Sequence, residues 1–282
     1  MLKVNSVSGG QTSAYVMANY KADYNIFALV TTNDKACTFP DAKVRQIVSD
    51  KIGKEFIGTL EMDAIIYTML DLEQYTGYPI TWLVGKPFED IVKRGAKTYL
   101  PNKVQRFCTT ELKLEPIKKW WLENIDAPVN MRIGYRANET RRASNMLKRC
   151  VDGILEDKFI VGKHKSGRNK WQLKKWQSPS FPLIDNGIYK DTIVNYWKNK
   201  PVRFAELNNC VGCFHRNPIL LNKLFNSEHS NKMEFFSSLE KDALNKANFK
   251  TGITYESIKK HKLQSTLDFD DFGECDSGVC GI

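Results

Sequence analysis

Ser8-Gly9-Gly10-Gln11-Thr12-Ser13 follows a short apolar run, Leu2–Val7, and opens a helical pattern at Ala14-Tyr15-Val16-Met17. Strand, glycine–hydroxyl loop and helix in that order make a phosphate cradle. Glycines let the backbone approach an anion, and successive N–H groups and the helix N-terminus point at it. The spacing is not G-x-x-x-x-G-K-S/T, which excludes a Walker A loop. Taken alone, the segment also suits an ordinary Gly-Gly turn between a strand and a helix. The rest of the chain has to decide.

Working outward, apolar runs alternate with helical patterns through the first half, the signature of an α/β fold with a mostly parallel sheet. The reading is Rossmann-like, with flanking helices and a small C-terminal helical region. Leu2–Val7 and Ile26–Thr32 are predicted strands joined by a helix over Ser13–Tyr20. A helix over Asp41–Ile52 follows, with Val44, Ile47, Val48 and Ile52 at helical spacing. Glu55–Ile57 is a predicted short strand and Asp63–Gln74 a helix. Strands at Ile80–Val84 and Met131–Gly134 bracket a helix around Leu112–Leu122. Ser8–Ser13, Thr31-Thr32-Asn33 and Gly134-Tyr135-Arg136 then all fall at carboxyl ends of strands, where open α/β sheets bind ligands.

The 282 residues are 42% apolar, enough for one large or two small cores. No run of eighteen apolar residues occurs, and no leader pattern precedes the first strand, so a membrane span and a secretory signal are not expected. Seven cysteines then suggest thiols, metal ligands or catalysis rather than a disulfide framework. The net charge of +10 favours an anionic partner, a nucleotide or a nucleic acid. Lys158–Trp176 is very basic and contains Gly167 as a turn, which reads as a basic hairpin or mobile lid inserted at about 155–178. The expected organisation is a nucleotide-binding domain over 1–217, a helical region over 218–266 and a Cys-containing tail over 267–282. Leu220, Leu221, Leu224 and Phe225 read as core, and so does Trp82.

Four segments in order resemble the phosphoadenosine phosphosulfate (PAPS) reductase family of the PP-loop superfamily, adenine nucleotide alpha hydrolase-like proteins, and especially its phage-type members. Ser8–Ser13 is similar to the PP-loop of ATP pyrophosphatases. Arg106-Phe107-Cys108-Thr109-Thr110-Glu111-Leu112-Lys113-Leu114-Glu115-Pro116 resembles R-x-C-x-x-x-L-K-x-x-P. Gly134–Arg142 resembles G-x-R-x-x-E-x-x-R, and Asn209-Cys210-Val211-Gly212-Cys213-Phe214 carries C-x-x-C. The resemblance covers about residues 1–217. It implies an adenine nucleotide, ATP or PAPS, held by Ser8, Gly9, Gly10, Thr12 and Ser13, with Thr31 and Asn33 at the adenine ring. Lys113, Arg136 and Arg141 would bind phosphate or sulfate oxygens, since a guanidinium fork pairs well with oxyanions. Salt bridging to Glu139 or Glu111 is the competing use, more for Arg142 than for Arg136. Mg2+ would bridge the phosphates with a carboxylate such as Asp34 or Asp41. A cytoplasmic location follows, that of the host cell for a phage gene.

Cys210 and Cys213 have the spacing at which two thiolates reach one metal, and a buried reduced pair is the alternative. The resemblance adds Cys108 as a third ligand, implying a 4Fe–4S iron–sulfur cluster. Its fourth ligand would be Cys280, Cys275, Cys150 or nothing from the protein. Zinc, with His215, is the alternative. Two activities remain open. One is ATP cleavage at the α–β bond to adenylate a substrate for sulfur or nitrogen transfer, acting on a small molecule or a nucleic acid. The other is thiol-dependent PAPS reduction, with Cys280 of Gly278-Val279-Cys280-Gly281-Ile282 as the tail nucleophile and a thiol protein as partner. The intact Ser-Gly-Gly-x-Thr-Ser leans toward the first. A non-catalytic nucleotide-binding regulator is the third reading. The oligomeric state is left open.

Overall fold

The computed structural model describes residues 1–261. The short segments rich in β-branched and aromatic residues pair into one seven-stranded sheet: β1 (Lys3–Val7), β2 (Tyr24–Leu29), β3 (Thr81–Val84), β4 (Val129–Arg132), β5 (Cys150–Val151), β6 (Ile154–Lys163) and β7 (Asn169–Ser180). The strand order is β3-β2-β1-β4-β7-β6-β5. β1 runs parallel to β2 and β4, and β7 parallel to β4. On the far side β6 pairs antiparallel with β7 and with β5. This is the expected Rossmann-like α/β architecture, a mostly parallel sheet flanked by helices with a C-terminal helical region.

The chain divides into two compact units, each drawn from three segments: Met1–Ala28, Tyr67–Leu83 and Glu115–Phe204 in the first, and Leu29–Ile66, Val84–Leu114 and the described residues from Ala205 on in the second. That differs from a linear split at 217, because core membership follows packing rather than chain order.

In the first unit the parallel strands are buried on both sides, as Val4, Val7, Ile26, Phe27, Val129 and Met131 show. Fully buried Asn5 donates from Nδ2 to the Tyr20 carbonyl and to Asn25 Oδ1, each at 2.9 Å, while its own Oδ1 accepts no hydrogen bond. Trp82 is core, with its ring edge-to-face on Phe27 at 5.1 Å. The basic segment does form a hairpin, turning at Gly167 with φ 80°. It is not an appended lid but two strands of the sheet, and Phe159 and Trp176 pack on Trp121 at its base.

The second unit has its own core, gathering Leu60, Phe88 and Leu112 with Leu221, Phe236 and Tyr255. Leu221, Leu224 and Phe225 are buried and Leu220 packs against them, as the stripe predicts. Asp41 starts the helix Ala42–Ile52 by accepting the N–H groups of Lys43 and Val44, and Gly53 ends it in the left-handed conformation. Ile47 of the predicted apolar stripe is nonetheless exposed.

Several boundaries move. β2 stops at Leu29, and Thr31–Thr32 pairs antiparallel with Gly58–Thr59 instead of extending it. The predicted strand at 55–57 shifts to those residues because Gly58 lies against Cys37, where a Cβ would sit 1.9 Å from the carbonyl oxygen. The helix expected over 112–122 begins as a π-turn over Thr110–Leu114 and becomes α-helical over Glu115–Asn124. Pro116 brings no N–H to a regular ladder there.

Candidate functional site

Strand order reverses beside β1. The chain steps from β1 to β2 and then β3 on one side, and returns to β4 on the other. The crevice outside the strand ends at such a switch point is where open α/β sheets take ligands. Ser8–Ser13 leaves the end of β1, and Gly134-Tyr135-Arg136 follows β4. The two segments touch: a Cβ on Gly134 would lie 3.3 Å from Thr12 Cγ2 and 3.4 Å from the Ser13 backbone N. A side chain at 134 would sit tightly against Thr12 and Ser13.

Within the loop, Gly9 takes φ 81°, a conformation that side-chain-bearing residues avoid. Gly10 caps the helix Gln11–Asn19 with an extended backbone and no side-chain hydrogen bond. The first-turn N–H groups therefore meet no capping oxygen, which is what a helix N-terminus offers an anion. The buried Ser13 hydroxyl shapes the loop. It accepts the Ser8 N–H at 3.0 Å, donates to the Gly10 carbonyl at 3.1 Å and lies 3.2 Å from Ser8 Oγ.

On the other side of the crevice, Glu139 organises the arginines. Its Oε2 accepts from the Arg136 backbone N–H at 2.8 Å and from Arg136 Nε at 3.1 Å, while Oε1 accepts from Arg142 Nη1 at 2.5 Å. Burial alone would push this carboxyl up, but the Arg136 N–H and the Arg142 guanidinium hold it below the usual range. So Arg136 pairs with Glu139 just as Arg142 does, although the sequence points to that use more for Arg142. Arg142 also lies over the Tyr135 ring at 4.1 Å. Arg141 is exposed in the first turn of the helix Thr140–Leu147.

The second unit holds the remaining expected residues. Thr31 is buried, with its backbone committed to the ladder with Thr59. The Asn33 N–H donates to Glu89 Oε1 at 2.6 Å, leaving an exposed side chain as its available group. Asp34 and Asp41 both cap helices, Asp34 accepting the Ala36 N–H and Asp41 those of Lys43 and Val44. Lys113 meets Glu61, 1% exposed, at 3.1 Å, and Lys232 donates to the Glu61 carbonyl and to Asp63 Oδ1, each at 2.7 Å. Lys113 here neutralises a buried carboxylate, a duty its motif does not announce.

The C-x-x-C loop is clamped through its backbone. Arg216, 5% exposed, donates to the carbonyls of Asn208, Asn209, Cys210 and Val211 at 2.6–3.2 Å. Lys250 Nζ holds the Phe214 and Arg216 carbonyls, and the Tyr255 hydroxyl holds that of Gly212 at 2.9 Å. Val211 N–H donates to Leu60. No spacing in the chain signals these three clamps. Burial, with Arg106, Lys103 and Lys250 nearby, pushes His215 down to about 4, so its imidazole is neutral at pH 7. Burial also pushes the Cys37 thiol up to about 12, which makes it inert.

Among the described residues no group of three or more His, Cys, Asp or Glu side chains is arranged to hold a metal ion. Cys108, Cys210 and Cys213 all lie partly buried in the second unit. Cys280 and Cys275 lie outside the described residues. No described helix is long and apolar enough to cross a membrane. Compared with known proteins, the chain matches no family model, no curated protein and no solved structure.

Proposed function

We propose that the chain is an adenine-nucleotide-binding enzyme of the PP-loop kind, within the PAPS reductase family, that cleaves ATP between the α and β phosphates. One observation carries the reading: the Ser8–Ser13 loop and the Gly134–Arg136 segment flank the switch point of the sheet in direct contact. The uncapped N–H groups at Gln11–Ser13 and the Ser8 hydroxyl face an anion with fixed dipoles, and Arg136 and Arg141 add cations from the following segment. A substrate oxygen attacks the α-phosphorus, its new P–O bond forms, and the bond to the β-phosphate oxygen breaks. The leaving pyrophosphate takes the electron pair. Magnesium carried in by the nucleotide would supply charge neutralisation at its phosphates. The chain's contribution is positioning and charge neutralisation by groups already in place.

The cysteine loop is not routed into this step, and the iron–sulfur or zinc centre expected at Cys108, Cys210 and Cys213 stays a separate proposal. Thiol-dependent sulfonucleotide reduction rests on Cys280 and keeps its place as the rival. Pyrophosphate release and sulfite release, measured side by side with MgATP and with PAPS plus a reduced thiol protein, separate the two. Pyrophosphate from ATP that survives Cys280→Ser supports adenylation. Sulfite from PAPS that vanishes in Cys280→Ser overturns it in favour of the reductase.

A further inference from the structure

The β6–β7 hairpin has two different faces. The inner face packs Phe159 and Trp176 on Trp121, and Asp157 reaches buried Lys118 at 2.8 Å. The outer face follows from register: Ile160 pairs with Trp171 and Lys158 with Leu173, so these four side chains share one side. Ile160, Trp171 and Leu173 are 38%, 52% and 60% exposed. Strand propensity explains a β-branched or aromatic residue in such positions, but not three large apolar side chains left in water together.

The charge around this patch has one sign. From Lys158 to Lys175 the chain carries seven Lys or Arg and no carboxylate. Lys174 is held by Asp126, and Lys175 lies near Asp152 and Glu156. Lys158, Lys163, Lys165, Arg168 and Lys170 make no ion pair with any described residue. A second copy of the same face would meet it with like charge, which disfavours self-association. A polyanion carrying flat apolar groups satisfies both features at once.

The geometry points to single-stranded nucleic acid as the occupant of this face, with bases stacked on Trp171 and packed over Ile160 and Leu173, and phosphates on the lysines and Arg168 of the tip. Stacking requires unstacked bases, so a duplex fits poorly. The inference stands on the hairpin alone, and its test contains no ATP, so it survives or falls independently of the nucleotide reading.

The test is fluorescence anisotropy of a labelled oligothymidine against the full chain, with the thermal melt of each variant as the control for folding. Trp171→Ala, at an exposed position, should leave the melt unchanged and weaken binding about tenfold, with Trp171→Phe recovering most of the loss. Replacing Lys158, Lys163 and Lys165 together by Gln should lower the slope of log K against log salt by about 2, near 0.7 per lost phosphate contact. Unchanged affinity in Trp171→Ala, or no binding of the oligothymidine by the wild-type chain, overturns the inference. So does tighter binding of polyglutamate or of phosphatidylserine vesicles, which would assign the face to an acidic protein or a membrane surface.

Discussion

Gly10 sits where ordinary helices carry Ser, Asp or Asn, and that substitution separates folding from binding. Its backbone is extended, as at a normal N-cap, so Gly10→Asp can be accommodated without strain. The new carboxylate would accept a first-turn N–H and stabilise the helix by a few tenths of a kcal/mol. It would also place a negative charge where the nucleotide phosphate is proposed to lie. The expected outcome is an unchanged or slightly raised melting temperature with loss of ATP binding in calorimetry. Retained affinity would remove the phosphate site from this loop. Glu139 makes a second residue-scale case. Its carboxyl is held below the usual range by its arginine bonds, so the stability it lends is present above its unfolded value of about 4.5 and is lost as pH falls through the lower folded value. Glu139→Gln should therefore melt lower than wild type at pH 7, by about 1 kcal/mol, and the gap should close in acid. A gap that widens below pH 4 would contradict that sign. Both positions could be singled out in the sequence, and so could Glu139 as a partner for the arginines, but not its hold on the Arg136 N–H, which depends on where the segment after β4 turns.

At the level of elements, the loop 208–216 shows what spacing conveys and what it hides. Two cysteines separated by two residues announce a pair of thiols. They do not announce that a guanidinium three residues on, an amine at Lys250 and a phenol at Tyr255 hold the backbone between them. Such long-range donors have no local pattern, since each needs only one carbonyl within reach. If these bonds rather than a metal fix the loop, Cys210→Ser with Cys213→Ser and treatment with a chelator should each leave the melting temperature nearly unchanged. Arg216→Ala should cost about 3 kcal/mol by orphaning several carbonyls around a buried site. A chelator-induced fall in stability would instead make the loop metal-held and restore the iron–sulfur or zinc expectation. The strands were legible for a different reason: β1, β3 and β4 each carry closely spaced apolar residues, Val4 and Val7, Trp82 to Val84, and Val129 and Met131, although β4 runs two residues earlier than expected. β2 was overrun because Val30 and Thr31 have strand propensity, while the pairing partner that diverts Thr31 is Thr59.

Over the whole molecule, the order of the motifs along the chain suggested a nucleotide domain complete by residue 217 followed by an accessory helical region. The packing assigns those helices a different status. Leu221, Met233, Phe236 and Tyr255 are each at most 1% exposed, and they share a core with Leu60, Phe88 and Leu112 from the first 114 residues. Hydrophobic periodicity identifies such residues as buried without saying in which core, so this partition could not be read in advance. A chain ended at 217 leaves the early half of that core without its cover. Each of the four lost side chains is worth about 1.5–3 kcal/mol of burial, and together they approach the 5–15 kcal/mol that separates a typical domain from its unfolded state. The 1–217 fragment should consequently bind a hydrophobic dye and lose its cooperative melt over residues 29–66 and 84–114. Hydrogen exchange should reveal fast amides there and retained protection in β1, β2 and β4, whose core lies in the other unit. Uniform wild-type protection across the fragment would mean that the helices after 217 are accessory after all.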